Sequence, residues 1–195
     1  MKKIILTVLF CAFTLMVKSQ NITEESSKAS VEKSILGIQT GFAGLWVYNE
    51  LKVSNQIALR TELGLDAYEN DDFYPDAGFL LTTAIIVEPR WYYNLNKRIR
   101  KSKRIDNNSG NFFALRTNFR SDDLLIKFGD DENAKIVTNL SIIPTWGIRR
   151  TLGKHFNYET GIGVGYIHYF SKNAGFEEDE GEVAINIHLR IGYKF

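Results

Sequence analysis

The chain has 195 residues, and its 24 Lys and Arg against 23 Asp and Glu leave a formal charge of +1. That balance argues against a nucleic-acid partner, which is held by a surplus of basic residues. The single cysteine, Cys11, excludes a disulfide framework and a thiolate metal site, and the length is that of one domain.

From the N-terminus, Lys2 and Lys3 precede an apolar run over 4–17, and Ser19-Gln20 follows. A basic start, a short apolar stretch and small residues near a cut describe a secretory signal peptide. The run is too short for a membrane helix, which needs about 20 residues. Cys11 follows the bulky Phe10 and sits too early to be a lipid-attachment site. The reading therefore divides the chain into a signal peptide over 1–19, a short flexible segment over 20–30 and one domain over 31–195.

Within that domain, segment after segment alternates with the period of two that marks a strand. The stretch 34–53 is apolar and aromatic, but its pattern breaks at Gly41-Phe42-Ala43-Gly44. One strand of that length would be too long for a membrane strand of roughly 9–11 residues. It is split into strands over 31–40 and 43–53. In 57–68, Leu59, Leu63 and Leu65 oppose Arg60, Glu62 and Asp66; in 82–94, Ile85, Val87, Pro89 and Trp91 oppose Glu88 and Arg90. Phe113, Leu115 and Phe119 oppose Arg116 and Asn118, and Ile136, Leu140, Ile142, Trp146 and Ile148 oppose Ser141, Thr145 and Arg149. Phe156, Tyr158, Ile162 and Val164 oppose Asn157, Glu159, Gly161 and Gly163.

The last segment is the most regular. Val183, Ile185, Ile187, Leu189, Ile191, Tyr193 and Phe195 share one face; Asn186, His188, Arg190 and Lys194 share the other. Such a strand has an apolar wall and a charged wall, the pattern of a barrel that turns one face to lipid and the other to its lumen. The ending Leu189-Arg190-Ile191-Gly192-Tyr193-Lys194-Phe195 resembles the terminal strand of bacterial outer-membrane β-barrel proteins. The resemblance implies an outer-membrane location in a Gram-negative cell. It also implies that Leu189, Ile191, Tyr193 and Phe195 are read by the barrel assembly machinery. The expected fold is all-β, a transmembrane antiparallel up-and-down barrel. Eight strands satisfy the even number found in single-chain bacterial barrels.

Counting back from the terminus puts the connections 53–55, 96–111 and 151–155 on the periplasmic side, and 69–79, 120–133 and 172–182 outside. Trp46, Trp91 and Trp146 each lie a few residues before an expected periplasmic turn, and are read as an interface girdle. Core tryptophans of a soluble barrel are the alternative.

Two charge groupings follow. The outer loops hold Glu69, Asp71, Asp72 and Asp76, then Asp122, Asp123, Asp130, Asp131 and Glu132, then Glu177, Glu178, Asp179, Glu180 and Glu182. These are solvated connectors and a contact zone. No loop has the spacing of a dedicated calcium site, so no metal residue is assigned and divalent ions would be held only loosely, as bridges to lipopolysaccharide. Inside, Arg60, Glu62, Asp66, Glu88, Arg90, Arg116, Arg149, Glu159, His188, Arg190 and Lys194 share the lumen. In an eight-stranded barrel side chains just fill the interior, so mixed charges there pair into a plug. A structural or interaction barrel is the leading reading; a narrow channel is one alternative.

An exterior hydrolase is the other. His168 and the Ser171-Lys172-Asn173 stretch are faintly similar to the His-x-Ser-Asn motif of the outer-membrane lipid A deacylase family. The resemblance implies His168 as base, Ser171 as nucleophile and Glu180 or Glu182 as orienting acid. His168 and Ser171 are three apart rather than two, which puts them on opposite faces of a regular strand. No cofactor is implied. The expected partners are outer-membrane lipids, lipopolysaccharide and the assembly machinery, with the protein itself a monomer.

Overall fold

The computed structural model describes residues 29–42, 44–68, 80–127 and 137–195. Residues 1–19, read above as a signal peptide, Ile136 and the loop acids Glu69, Asp71, Asp72, Asp76, Asp130, Asp131 and Glu132 lie outside the described residues.

Eight strands form a closed barrel in which each pairs with the next and the first pairs with the last. They are β1 (Ser34–Gly41), β2 (Gly44–Lys52), β3 (Ile57–Tyr68), β4 (Leu80–Trp91), β5 (Gly110–Lys127), β6 (Asn139–Leu152), β7 (Phe156–Tyr169) and β8 (Glu180–Lys194). Every pairing is antiparallel. The split of 34–53 at the glycines is observed, with the break after Gly41. One connection is longer-stranded than expected. The segment 120–127, read as loop, continues β5 and pairs back onto the start of β4, with an irregularity between Thr82 and Thr83.

The alternation sorts the side chains as a barrel requires. Outward positions are mainly apolar, and many are exposed, from Leu36 and Val47 to Ile162 and Ile187. Inward positions are largely buried and hold the charged residues, with Ile35, Ala84, Ile86 and Ile143 among the apolar ones between them. The antiparallel register sets opposite charges side by side: Glu50 opposes Arg60, Arg60 opposes Glu88, Arg149 opposes Glu159, and Glu159 opposes Arg190. Cross-strand pairs of this kind fix register as well as adding stability.

The two rims differ. The lower rim, which carries the C-terminus and the connections after β2, β4 and β6, is capped. Ala29, Val31, Ala58, Tyr92, Leu95 and Phe112 form an apolar cluster across it. Leu95 opens the short helix α1 (Leu95–Arg100), whose exposed side carries the basic residues of this connection. Ala29, placed by the sequence in a flexible segment, is buried here, and its N–H donates to Asn96 Oδ1 at 3.2 Å. Arg104 forks onto Asp106 at 2.9 and 2.7 Å and holds that carboxyl below the usual carboxylate range.

The tryptophans divide. Trp91 is half exposed on the outer wall at the lower rim, stacked on Phe113 at 6.3 Å. Trp146 faces the same way, and its Nε1 donates to Tyr93 Oη at 3.0 Å. Trp46 does not belong to this group. It lies two residues from the start of β2, near the opposite rim, and is only 2 % exposed. Its Nε1 donates to Asp66 Oδ1 at 2.6 Å inside the barrel. Strand parity is the reason: Leu45, Val47 and Leu51 face out, so Trp46, Tyr48 and Glu50 face in. Gly64 on β3 makes room, since a Cβ there would stand 2.8 Å from the Trp46 indole.

Candidate functional site: the charged lumen

Five buried carboxylates (Glu50, Glu62, Asp66, Glu88, Glu159) meet five buried arginines (Arg60, Arg90, Arg116, Arg149, Arg190) among the described residues. The equality has a physical basis, because an unpaired charge in a dry interior costs on the order of several kcal/mol. Each strand from β2 to β8 supplies charge from its inward face, and β1 contributes the neutral Gln39.

Glu50 is the central acceptor. It receives Arg149 Nη1 at 2.9 Å, Arg60 Nη1 at 3.4 Å, Tyr92 Oη at 2.8 Å and Asn108 Nδ2 at 2.6 Å. Arg149 also donates to Tyr48 Oη at 2.9 Å and Asn107 Oδ1 at 3.1 Å. Arg90 forks onto Glu159 at 2.7 and 2.8 Å and reaches Glu88 at 3.1 Å. Arg190 donates to both oxygens of Glu62 at 2.9 and 3.2 Å, and Arg60 donates to Glu62 and to Gln39. The guanidiniums also lie on aromatic rings: Arg60 on Tyr48 at 3.8 Å, Arg190 on Trp46 at 4.0 Å and Arg90 on Phe112 at 4.3 Å. Cation–π contact of this sort is strongest where water is excluded.

The cap joins the lattice from below. Asn107 and Asn108 both have left-handed backbone, with φ of 51° and 53°, a region asparagine tolerates better than most residues. That conformation turns their amides up to Arg149 and Glu50. Glu32 clasps the same pair, accepting from the Asn107 N–H while its own N–H donates to Asn108 Oδ1 at 2.7 Å. Burial and the facing Glu50 carboxylate push the Tyr92 hydroxyl well above its ordinary range, so it remains a donor.

Ten of the eleven residues expected in the lumen are buried there. The exception is Lys194, which sits at the lower rim, part-exposed, paired with Glu32. The lumen members that sequence reasoning missed are Gln39, Tyr48, Glu50, Tyr92, Asn107 and Asn108. The inward face of β2 reads Trp46, Tyr48, Glu50, so two aromatics disguise a polar face. The asparagines stand in a connection, where alternation gives no signal.

The exterior triad is not assembled. Ser171 is buried at the start of a 3-10 turn (Ser171–Ala174), and its Oγ has no hydrogen-bond partner. His168 lies edge-on to Phe170 at 4.8 Å. Glu182 stands opposite the inward-facing Ile167 and accepts from Tyr169 Oη at 2.9 Å, so it belongs to the other wall from His168. Among the described residues no three potential metal ligands gather. Of the acidic loops, only 172–182 is described throughout; its acids are exposed, and Asp179 accepts the Lys172 N–H at 2.9 Å.

Above the lattice, toward the upper rim, the lumen opens into a cavity of 330 Å3 bordered by Trp46, Asp66, Arg116, Asn118, His188 and Arg190. Comparison with protein-family models, curated proteins and solved structures gives no match.

Proposed function

We propose that this chain is an exported barrel of the bacterial outer membrane with a structural or interaction role, its lumen closed to ions and its outer loops the contact zone. The observation that carries the reading is the inversion of polarity: apolar side chains outside, charges inside. A water-soluble barrel needs the reverse, whereas a lipid-facing barrel must present apolar residues to hydrocarbon. Aromatics cluster at one rim, with Trp91, Tyr93 and Phe113 in mutual contact and Tyr193 between Phe156 and Phe195, which suits an interface belt. The basic leader with its cut near Ser19-Gln20 supports export. Outer-membrane lipids and lipopolysaccharide are then the surrounding partners, the assembly machinery inserts the chain, and it works as a monomer.

Two features speak for a closed lumen rather than a channel: the lattice spans the interior, and the apolar cap covers the lower rim. The test is cell fractionation of the full chain followed by planar-bilayer recording of the purified protein. The expected result is outer-membrane recovery and no steady conductance at neutral pH. Recovery in the soluble fraction would overturn the location, and stable open-channel currents would overturn the closed lumen.

A further inference from the structure

The upper cavity is unevenly supplied with hydrogen-bonding groups. The Arg116 guanidinium makes one hydrogen bond, at 3.4 Å to Glu88, and stands 3.8 Å from Glu62. A guanidinium has five N–H donors, so most of its capacity is unused. Arg190 spends Nη1 on Glu62 and keeps a buried Nε without a partner. Arg120 spends Nε on Asp66. Among the residues bordering the cavity, buried Asn118 Oδ1 also lacks a hydrogen-bond partner, while His188 Nε2 stands 3.6 Å from Glu159 Oε1. The acceptors are already occupied: Asp66 takes Trp46, Asn118 and Arg120, while Glu62 takes Arg60 and Arg190. Three guanidiniums and the carboxylates Asp66 and Glu182 border the cavity, with Glu62 and Glu88 meeting Arg190 and Arg116 from the lattice side, so it is unused N–H donors that face the cavity. The group that completes such a site is rich in acceptors and negatively charged.

Among the described residues, the wall beside the cavity has an unpaired strand edge. Pairing of β1 with β8 covers only Gly37 to Gly41 against Lys194 to Arg190. Above that, among the described residues, β8 is paired on its β7 side alone. The cavity runs along this free edge, bordered by every residue of 182–190 together with Gly41 and Phe42. Outside the seam stands an apolar strip, with Val183, Ile185 and Ile187 exposed by 71 %, 68 % and 75 %. Irregular or unpaired backbone at membrane depth is tolerated where it is buried in protein or lines a water-filled cavity.

We infer that the cavity holds the phosphate or carboxylate head of a single-chain amphiphile, whose hydrocarbon tail leaves through the seam between β1 and the upper part of β8. Arg116, Arg120 and Arg190 take the anion; the strip along β8 takes the tail. The volume lies at the small end of ligand pockets, which run from roughly 300 Å3 upward, and suits a head group rather than a whole lipid. The inference rests on the membrane reading, because the tail needs a bilayer to lie in.

Native mass spectrometry of the full chain in neutral detergent tests it with three probes: lysophosphatidic acid, lysophosphatidylcholine and glycerol phosphate. Retention of lysophosphatidic acid is expected, well above the other two. Arg116→Gln removes the least committed guanidinium, and Ala184→Trp fills the cavity without touching any arginine. Each should weaken retention by about tenfold or more, the scale of losing a charge-assisted hydrogen bond. Equal binding of lysophosphatidylcholine would overturn the anionic head, and equal binding of glycerol phosphate would overturn the tail and the seam. Unchanged retention in both variants would overturn the location. No binding by any probe would overturn the inference outright, and cross-links joining two chains along 180–189 would assign the seam to strand pairing instead. Heat-modifiable migration after reconstitution into phosphatidylcholine vesicles, measured in parallel, reports the membrane reading independently of any ligand.

Discussion

At the scale of single residues, Glu50 decides how the lumen holds together. It is fully buried and accepts from two arginines, a tyrosine and an asparagine. Replacing it with leucine strands those donors together, and removing one side of a buried pair costs roughly 3–5 kcal/mol. Urea unfolding in bilayers should show that loss for Glu50→Leu, a smaller one for Glu88→Leu, whose Oε1 has no partner, and little for Val47→Leu on the outer wall. An equal response of Glu50 and Val47 variants would mean a wet lumen. Tyr92 gives a pH test. Its hydroxyl is raised in the folded state, so its contribution is intact below the ordinary tyrosine pKa of about 10 and is lost as pH rises through the folded value. Tyr92→Phe should remove that part of the alkaline fall in stability, seen by comparing unfolding midpoints across the alkaline range.

At the scale of elements, period-two alternation carried most of the fold. Strands β3, β4, β6, β7 and β8 were legible because charged and apolar residues separate cleanly on their two faces. β2 was legible as a strand but not in its facing. An inward Trp46 and Tyr48 look like membrane-interface aromatics until Glu50 is placed on their side. The extension of β5 past Phe119 was hidden because Arg120, Ser121, Asp122 and Asp123 interrupt the alternation with four polar residues in a row. The cap was illegible altogether, since the contacts of Asn107 and Asn108 arise from a left-handed turn packed against distant strands. β8 carries its own prediction. Its outward Leu189 and Ile191, with Phe195 just past its end, are all more than half exposed, as the proposed assembly role requires. Deleting Phe195 should reduce the folded, heat-modifiable fraction in cells while leaving synthesis and export unchanged; normal folding of the deletion would contradict the assembly role.

At the scale of the whole molecule, the described residues form an asymmetric barrel: sealed by apolar residues at the rim that bears the C-terminus, crossed by a balanced charge lattice, and, among those residues, open above it. The central claim is that the apolar wall lies in lipid while the lattice and Trp46 are shut away from it. Fluorescence quenching by lipids brominated along their acyl chains tests this most directly, using two variants that retain either Trp91 or Trp46 as the sole tryptophan. Trp91, on the outer wall, should be quenched strongly, and Trp46, on the inner wall beside Asp66 and Arg190, should be nearly untouched. Absence of quenching in both variants would contradict the membrane-embedded barrel, and strong quenching of Trp46 would contradict its inward facing and with it the closed lumen.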